Sequence, residues 1–294
     1  MEAAMIRFPP KKILVPFDFT EVSMAAWRQG KSLARRFGAS LEAVYTEDLM
    51  PSEQFLNWPL ERPMMGPRVR KEILARMHAK LGEGAVIHVT EGDAVVVILR
   101  YARTLNPDLI VMGTHARSGF ERLRLGSVTE AVTRLSPVPV LTVRKFNDNP
   151  IRNILAPVNF ESYAHCGLLY AAAAADALKA KLTALHVSES DEFDAQFRLS
   201  SLVRTVSPSM PPGVRPAQEV RMGKPIEEIL TAARRCDLIV LVAHRKSLLK
   251  DLVLGTTVER VLRYSPAPVL SVPSPKVSWE RPFRRSASGY STKV

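Results

Sequence analysis

The chain has 294 residues, 46% of them hydrophobic and 24% charged, and 41 Lys and Arg against 29 Asp and Glu leave a net charge of +12. At about 150 residues per domain this length predicts two domains, and the composition excludes a chain disordered throughout. Apolar runs such as 238–243 are far too short to cross a bilayer, residues 1–12 lack the apolar core of a secretion signal, and two cysteines exclude a disulfide framework, so a cytoplasmic protein is expected.

In chain order, residues 13–17 read as a strand and 22–37 as a helix with Ala26, Leu33, Ala34 and Phe37 on one face. A second strand is predicted over 41–45. The stretch 50–67, with four prolines, reads as a loop. A helix over 69–81, a strand over 86–89 and a helix over 94–104 follow. The strand predicted over 108–112 is continuously apolar from Leu109 to Met112, the pattern of a strand buried on both faces. A helix over 126–135 and a strand over 138–143 complete the series.

The series is then repeated. Lys12-Ile-Leu-Val-Pro-Phe-Asp18 returns as Asn153-Ile-Leu-Ala-Pro-Val-Asn159, and Asp108-Leu-Ile-Val-Met as Asp237-Leu-Ile-Val-Leu. Gly126-Ser127 returns as Gly255-Thr256, and Ser136-Pro-Val-Pro-Val-Leu141 as Ser265-Pro-Ala-Pro-Val-Leu270. Strands alternating with helices predict an α/β fold: two tandem, doubly wound, Rossmann-like domains with mostly parallel five-stranded sheets. The domains are expected over 8–147 and 151–274. A basic tail, 275–294, is expected to be disordered, because it is rich in Ser, Pro and Arg with no apolar period. The tail lacks the aromatic–basic interleaving that stacks bases, so nucleic acid is not an expected partner.

In a doubly wound sheet, ligands lie beyond the carboxyl ends of the strands, where strand order reverses. Asp18 closes the first predicted strand and Gly113 the fourth. Gly113 has no Cβ to hold a ligand off the backbone. Gly126 and Ser127 open a helix whose N–H groups and dipole favour phosphate, and Arg117, Arg122 and Arg124 precede it. Each feature also has a plain structural reading, Asp18 as a helix cap and Gly126 as a helix start.

The spacing resembles the universal stress protein family in its tandem form. The family pattern Gly-x2-Gly-x9-Gly-Ser/Thr reads here as Gly113-Thr-His-Ala116, nine residues over 117–125, then Gly126-Ser127, with Ala116 in place of the second glycine. The resemblance implies ATP, with Mg²⁺ left open, as the ligand. It implies Asp18 and Thr46 at the adenine end and Gly113, Ala116, Gly126 and Ser127 at the ribose and phosphates. It also implies pairing through the final strands, 138–143 and 269–272, as an internal pseudo-dimer, with a homodimer left open. The second copy carries Asn159, Val242 and Arg245 where the first carries Asp18, Gly113 and Ala116, and reads as a scaffold. His115 and His244 recur but have no second metal ligand at the right spacing, and neither catalytic nor metal-binding residues are identified. The expected function is a stress-response sensor or regulator that binds ATP in its first domain. A slow ATP-hydrolysing enzyme and a non-nucleotide-binding interaction module are the alternatives.

Overall fold

The first strand, β1 (Lys12–Pro16), is buried along its middle and paired on both sides, as its run of Ile13, Leu14 and Val15 requires. In the computed structural model, which describes residues 7–47, 65–114, 126–161, 163–243, 245–248, 251–254 and 256–274, it starts a repeated strand–helix order. In the first copy α1 (Glu21–Phe37), β2 (Ser40–Glu47), α2 (Pro67–Leu81), β3 (Val86–Glu91), α3 (Ala94–Thr104), β4 (Leu109–Gly113), α4 (Ser127–Leu135) and β5 (Val140–Val143) follow. The second copy runs β6 (Asn153–Pro157), α5 (Ala164–Leu178), β7 (Lys181–Ser188), α6 (Glu192–Val206), β8 (Ala217–Met222), α7 (Pro225–Ala233) and β9 (Leu238–Ala243). It then adds a hairpin, β10 (Arg245–Leu248) with β11 (Asp251–Leu254), before α8 (Thr256–Tyr264) and β12 (Val269–Pro273). The sequence pattern did not predict that hairpin.

Local chemistry sets the boundaries. Thr20 caps α1, its side chain accepting from the Ser23 N–H, and Gly38 ends the helix in the left-handed region at φ 65°. Asp93 and Asp191 cap α3 and α6 in the same way. The strand expected from 138 begins at Val140 because Ser136, buried, holds a turn: its hydroxyl donates to the Val138 carbonyl at 2.6 Å and accepts from the Val138 N–H at 3.1 Å. Ser265 and Ala267 repeat this turn at 2.7 and 3.1 Å. The twice-written Ser-Pro-x-Pro therefore has a backbone reason. Asp108 and Asp237 are likewise structural: Asp108 accepts the N–H groups of Lys11 and Lys12, and Asp237 those of Arg152 and Asn153.

Within each copy the strands are parallel, in the order β3-β2-β1-β4-β5 and its counterpart β8-β7-β6-β9-β12. The two five-stranded halves are not separate sheets. Strand β5 pairs antiparallel with β12, giving one ten-stranded sheet. The register places Leu141 opposite Leu270, the same position of the two copies, with Thr142 opposite Val269 and Val140 opposite Ser271. A pseudo-twofold axis passes between the leucines, as in a symmetric dimer interface.

On one face of the sheet a single apolar cluster runs across both copies, joining Trp27, Leu33 and Ala34 of α1 to Leu168, Tyr170 and Ala171 of α5. Phe8 packs edge-on against both Phe37 and Tyr170, and Arg36 donates to the Leu178 carbonyl at 2.8 Å. The other face carries two separate clusters, one around α3 and α4 and one around α7 and α8. No helix among the described residues is long and apolar enough to cross a membrane.

Candidate functional site

Strand β1 lies between β2 and β4, so the carboxyl ends of all three share one rim. That rim is where the strand order reverses, because β2 and β3 extend one way from β1 and β4 and β5 the other. Asp18, Thr46 and Gly113 stand there, across two strand spacings of about 4.8 Å each. Gly126 and Ser127 join them through a specific bond: the buried Thr129 hydroxyl, one turn into α4, donates to the Gly113 carbonyl at 2.8 Å. The beginning of α4 is thereby tied to the end of β4. Ala116 and the arginines 117, 122 and 124 lie outside the described residues, as do His115 and His244.

Each predicted position within the described residues has a determinate local role. The exposed Asp18 accepts at Oδ1 from the Thr20 N–H at 3.1 Å and from the Thr20 hydroxyl at 2.5 Å. The helix cap is thus Thr20, and Asp18 braces it. Between them Phe19 sits at φ 64°, a left-handed conformation that non-glycine residues rarely adopt. Its ring is held edge-on by Phe17 and Tyr45 at 5.2 and 5.4 Å, and the Arg76 guanidinium lies 4.5 Å above it. Burial, followed by the hydrogen bond to the Glu47 carboxylate, pushes the Tyr45 phenol up to about 12. The Thr46 hydroxyl donates to the Gly92 carbonyl at 2.8 Å, so what Thr46 presents to the rim is its backbone.

Gly113 departs from its expected reason. A Cβ there would fall 2.5 Å from the Val22 carbonyl oxygen and 2.6 Å from its carbon. The side-chain direction points into the first turn of α1, so the glycine is required by helix–strand packing. Gly126 is the N-cap of α4 and makes no side-chain cap hydrogen bond. Among the described residues no side chain caps the first N–H groups of that helix. Ser127 is exposed at the first helical position.

Three participants went unnoticed in the sequence: Phe19, Arg76 and Thr129. The repeat carries a signal for two of them. In the second copy Phe160 stacks on His186 at 4.1 Å, with the Arg198 guanidinium 4.2 Å over the ring, the same trio as Phe19, Tyr45 and Arg76.

The second crevice differs in chemistry. Asn159 donates to the Tyr163 hydroxyl at 2.8 Å and accepts from the Glu161 N–H at 3.4 Å. Val242 and Val258 stand where Gly113 and Thr129 stand, so the polar tie between strand end and helix start is gone. Val242 is accommodated by Gly167 of α5, where a Cβ would meet Val242 Cγ2 at 2.5 Å. What remains is not closed: a cavity of about 360 Å³ lies between Val158, Tyr163, Leu185, Val240 and Val258. The second copy, expected to be a scaffold, thus keeps a mainly apolar crevice at this position. Among the described residues no group of three or more His, Cys, Asp or Glu side chains is placed to hold a metal ion.

Comparison with known proteins bears on the whole arrangement. The model of the universal stress protein family matches twice, over residues 9–144 and 150–273. Universal stress protein MJ0531 of Methanocaldococcus jannaschii is 33% identical over 143 residues, 46% of this chain and 82% of its own. A universal stress protein of Thermus aquaticus is 30% identical over 138 residues, 46% of this chain and 98% of its own. A crystal structure of a universal stress protein from Archaeoglobus fulgidus shares the fold over 90% of this chain and 99% of its own, with a TM-score of 0.69 at 23% identity.

Proposed function

The chain belongs to the universal stress protein family, and we propose that its first domain binds an adenine nucleotide, ATP in the first instance, as a sensor or regulator whose output is occupancy. The observation that carries this reading is the Thr129–Gly113 bond at 2.8 Å, which seats a helix start without a side-chain cap at the end of β4. An N-terminus with no side-chain cap among the described residues, beside a strand end, offers phosphate its backbone N–H donors and the positive end of the helix dipole. Ser127 adds a hydroxyl. Asp18 and the backbone of Thr46 stand at the other end of the rim, suited to the sugar or base, with Tyr45 close by. In the second domain Val242 and Val258 remove these terms, so one nucleotide per chain is expected.

Mass spectrometry of small molecules released from freshly purified, denatured protein tests the ligand class. Calorimetric titration with ATP then gives the stoichiometry. Ser127→Ala should weaken binding by about 1 kcal/mol, roughly fivefold, since one hydrogen bond is lost and the backbone donors remain. Two equal sites, or no binding of ATP or ADP, would defeat the assignment. Phosphate release at saturating ATP distinguishes occupancy from turnover.

A further inference from the structure

Helix α6 carries a surface that its fold does not demand. Phe193 and Phe197 are 86% and 69% exposed and lie one turn apart on the same side of the helix. The stacked arginines Arg76 and Arg198 align α2 with α6, which places Lys71 and Ala75 at the equivalent positions of the first copy. Around the two phenylalanines stand the exposed acids Glu189, Asp191, Glu192 and Asp194, in a chain whose net charge is +12. Asp191 is occupied as the helix cap, and Asp194 faces Arg198 at 3.7 Å.

We infer that this face of α6 is the docking site of the chain's own C-terminal segment, 275–294, engaged through Trp279, Phe283 and the arginines Arg281, Arg284 and Arg285. Composition is the first argument. The segment holds five cationic side chains against the single acid Glu280, together with Trp279, Phe283 and Tyr290. It is complementary to the α6 face in charge, and its rings and guanidinium groups suit exposed phenylalanines.

Reach is the second argument. Strands β12, β9, β6 and β7 are mutually parallel, so the end of β12 and the start of α6 lie on one rim of the sheet. Three strand spacings separate β12 from β7, roughly 14 Å. The five residues from Ser274 to Trp279 span about 17 Å when extended. A nearly extended tether therefore carries Trp279 across that gap, residues 280–285 add the remaining reach towards Phe193, and tethering raises the local concentration to the millimolar range. A contact too weak to hold a separate peptide is enough for a tethered one.

Hydrogen exchange of the full-length chain, read by mass spectrometry, tests the assignment. In Arg281→Glu/Arg284→Glu/Arg285→Glu, exchange over 189–198 should quicken by about fivefold, the loss expected of a weak tethered contact. In Phe193→Ser/Phe197→Ser, exchange over 279–285 should quicken likewise. Adding Glu189→Arg/Glu192→Arg/Asp194→Arg to the first variant should restore protection. All the replaced residues of α6 are exposed, so an unchanged thermal midpoint separates undocking from unfolding. Identical exchange over 189–198 in wild type and tail variant would overturn the inference. Protection that grows with protein concentration would overturn it too, by giving the face to a second copy.

Discussion

Leu141 and Leu270, the same position of two copies of one module, face each other across the antiparallel pair of β5 and β12, 5% and 2% exposed. Each belongs to the apolar cluster that runs under both halves. Neither domain can unfold without exposing the other's share of that cluster. Calorimetry should therefore show one cooperative transition with matching van't Hoff and calorimetric enthalpies. Leu141→Ala should lower stability by about 2–4 kcal/mol and shift that single transition as a whole. Two resolved transitions would show that the halves fold independently.

Gly113→Val is expected to act on the fold before it acts on any ligand. The new side chain would meet the Val22 backbone at 2.5 Å, and backbone in the first turn of a helix cannot yield as a flexible side chain can. A loss of about 3 kcal/mol or more follows, beyond the usual cost of overpacking. Urea denaturation measures it. Since Gly167 accommodates Val242 in the second copy, Gly167→Ala should be destabilising there, and a shorter side chain at 242 should relieve it.

Tyr170 offers a prediction of the opposite sign. Its ring packs against Phe8, but its hydroxyl, fully buried, has no hydrogen-bond partner among the described residues. Burial pushes the phenol above its ordinary range, with Asp108 adding to it. Tyr170→Phe removes an unpaired polar atom and keeps the ring, so stability should rise by about 1 kcal/mol. A fall in the thermal midpoint would mean that the hydroxyl has a partner after all.

The two cysteines should differ in reactivity. Burial, then the Asp237 charge, pushes the Cys236 thiol up to about 12, and the thiol donates to the Ala233 carbonyl at 3.4 Å. Cys166 is also raised, by burial alone. Iodoacetamide at pH 8 should label Cys166 well before Cys236, because the thiolate is the nucleophile. The folded pKa of Cys236 exceeds its ordinary value of 9.0. Its contribution to stability is therefore complete below pH 9 and is lost as the pH rises from 9 towards 12. Faster labelling of Cys236 would contradict the burial argument.

The alternation of strands and helices was legible because Asp108-Leu-Ile-Val-Met and its copy at Asp237 read as buried strands, and because the repeat doubled every signal. The position of Asp18 was legible as the end of an apolar run and that of Gly126 as the start of a helix. What the pattern could not carry was direction in space. Gly113 was legible as a glycine at a strand end, yet whether its missing Cβ made room for a ligand or for Val22 depends on where α1 crosses. Thr129 was hidden because a threonine inside a helix announces no partner, and its bond to Gly113 spans two elements. Phe19 was hidden because aromatic residues give no sequence sign of a left-handed backbone. The joining of the two five-stranded sheets through their final strands was expected from the resemblance, but the register that sets Leu141 opposite Leu270 is displayed by no run of residues.

That register also makes the molecule double-ended. Because β12 runs against β5 while each strand is parallel within its own copy, the carboxyl rims of the two halves open in opposite directions. A nucleotide at Ser127 and anything lodged near Tyr163 would look away from each other, out of reach of any shared clasp. Two visitors can be received at once without jostling, and neither can feel the other except through the apolar layer beneath α1 and α5.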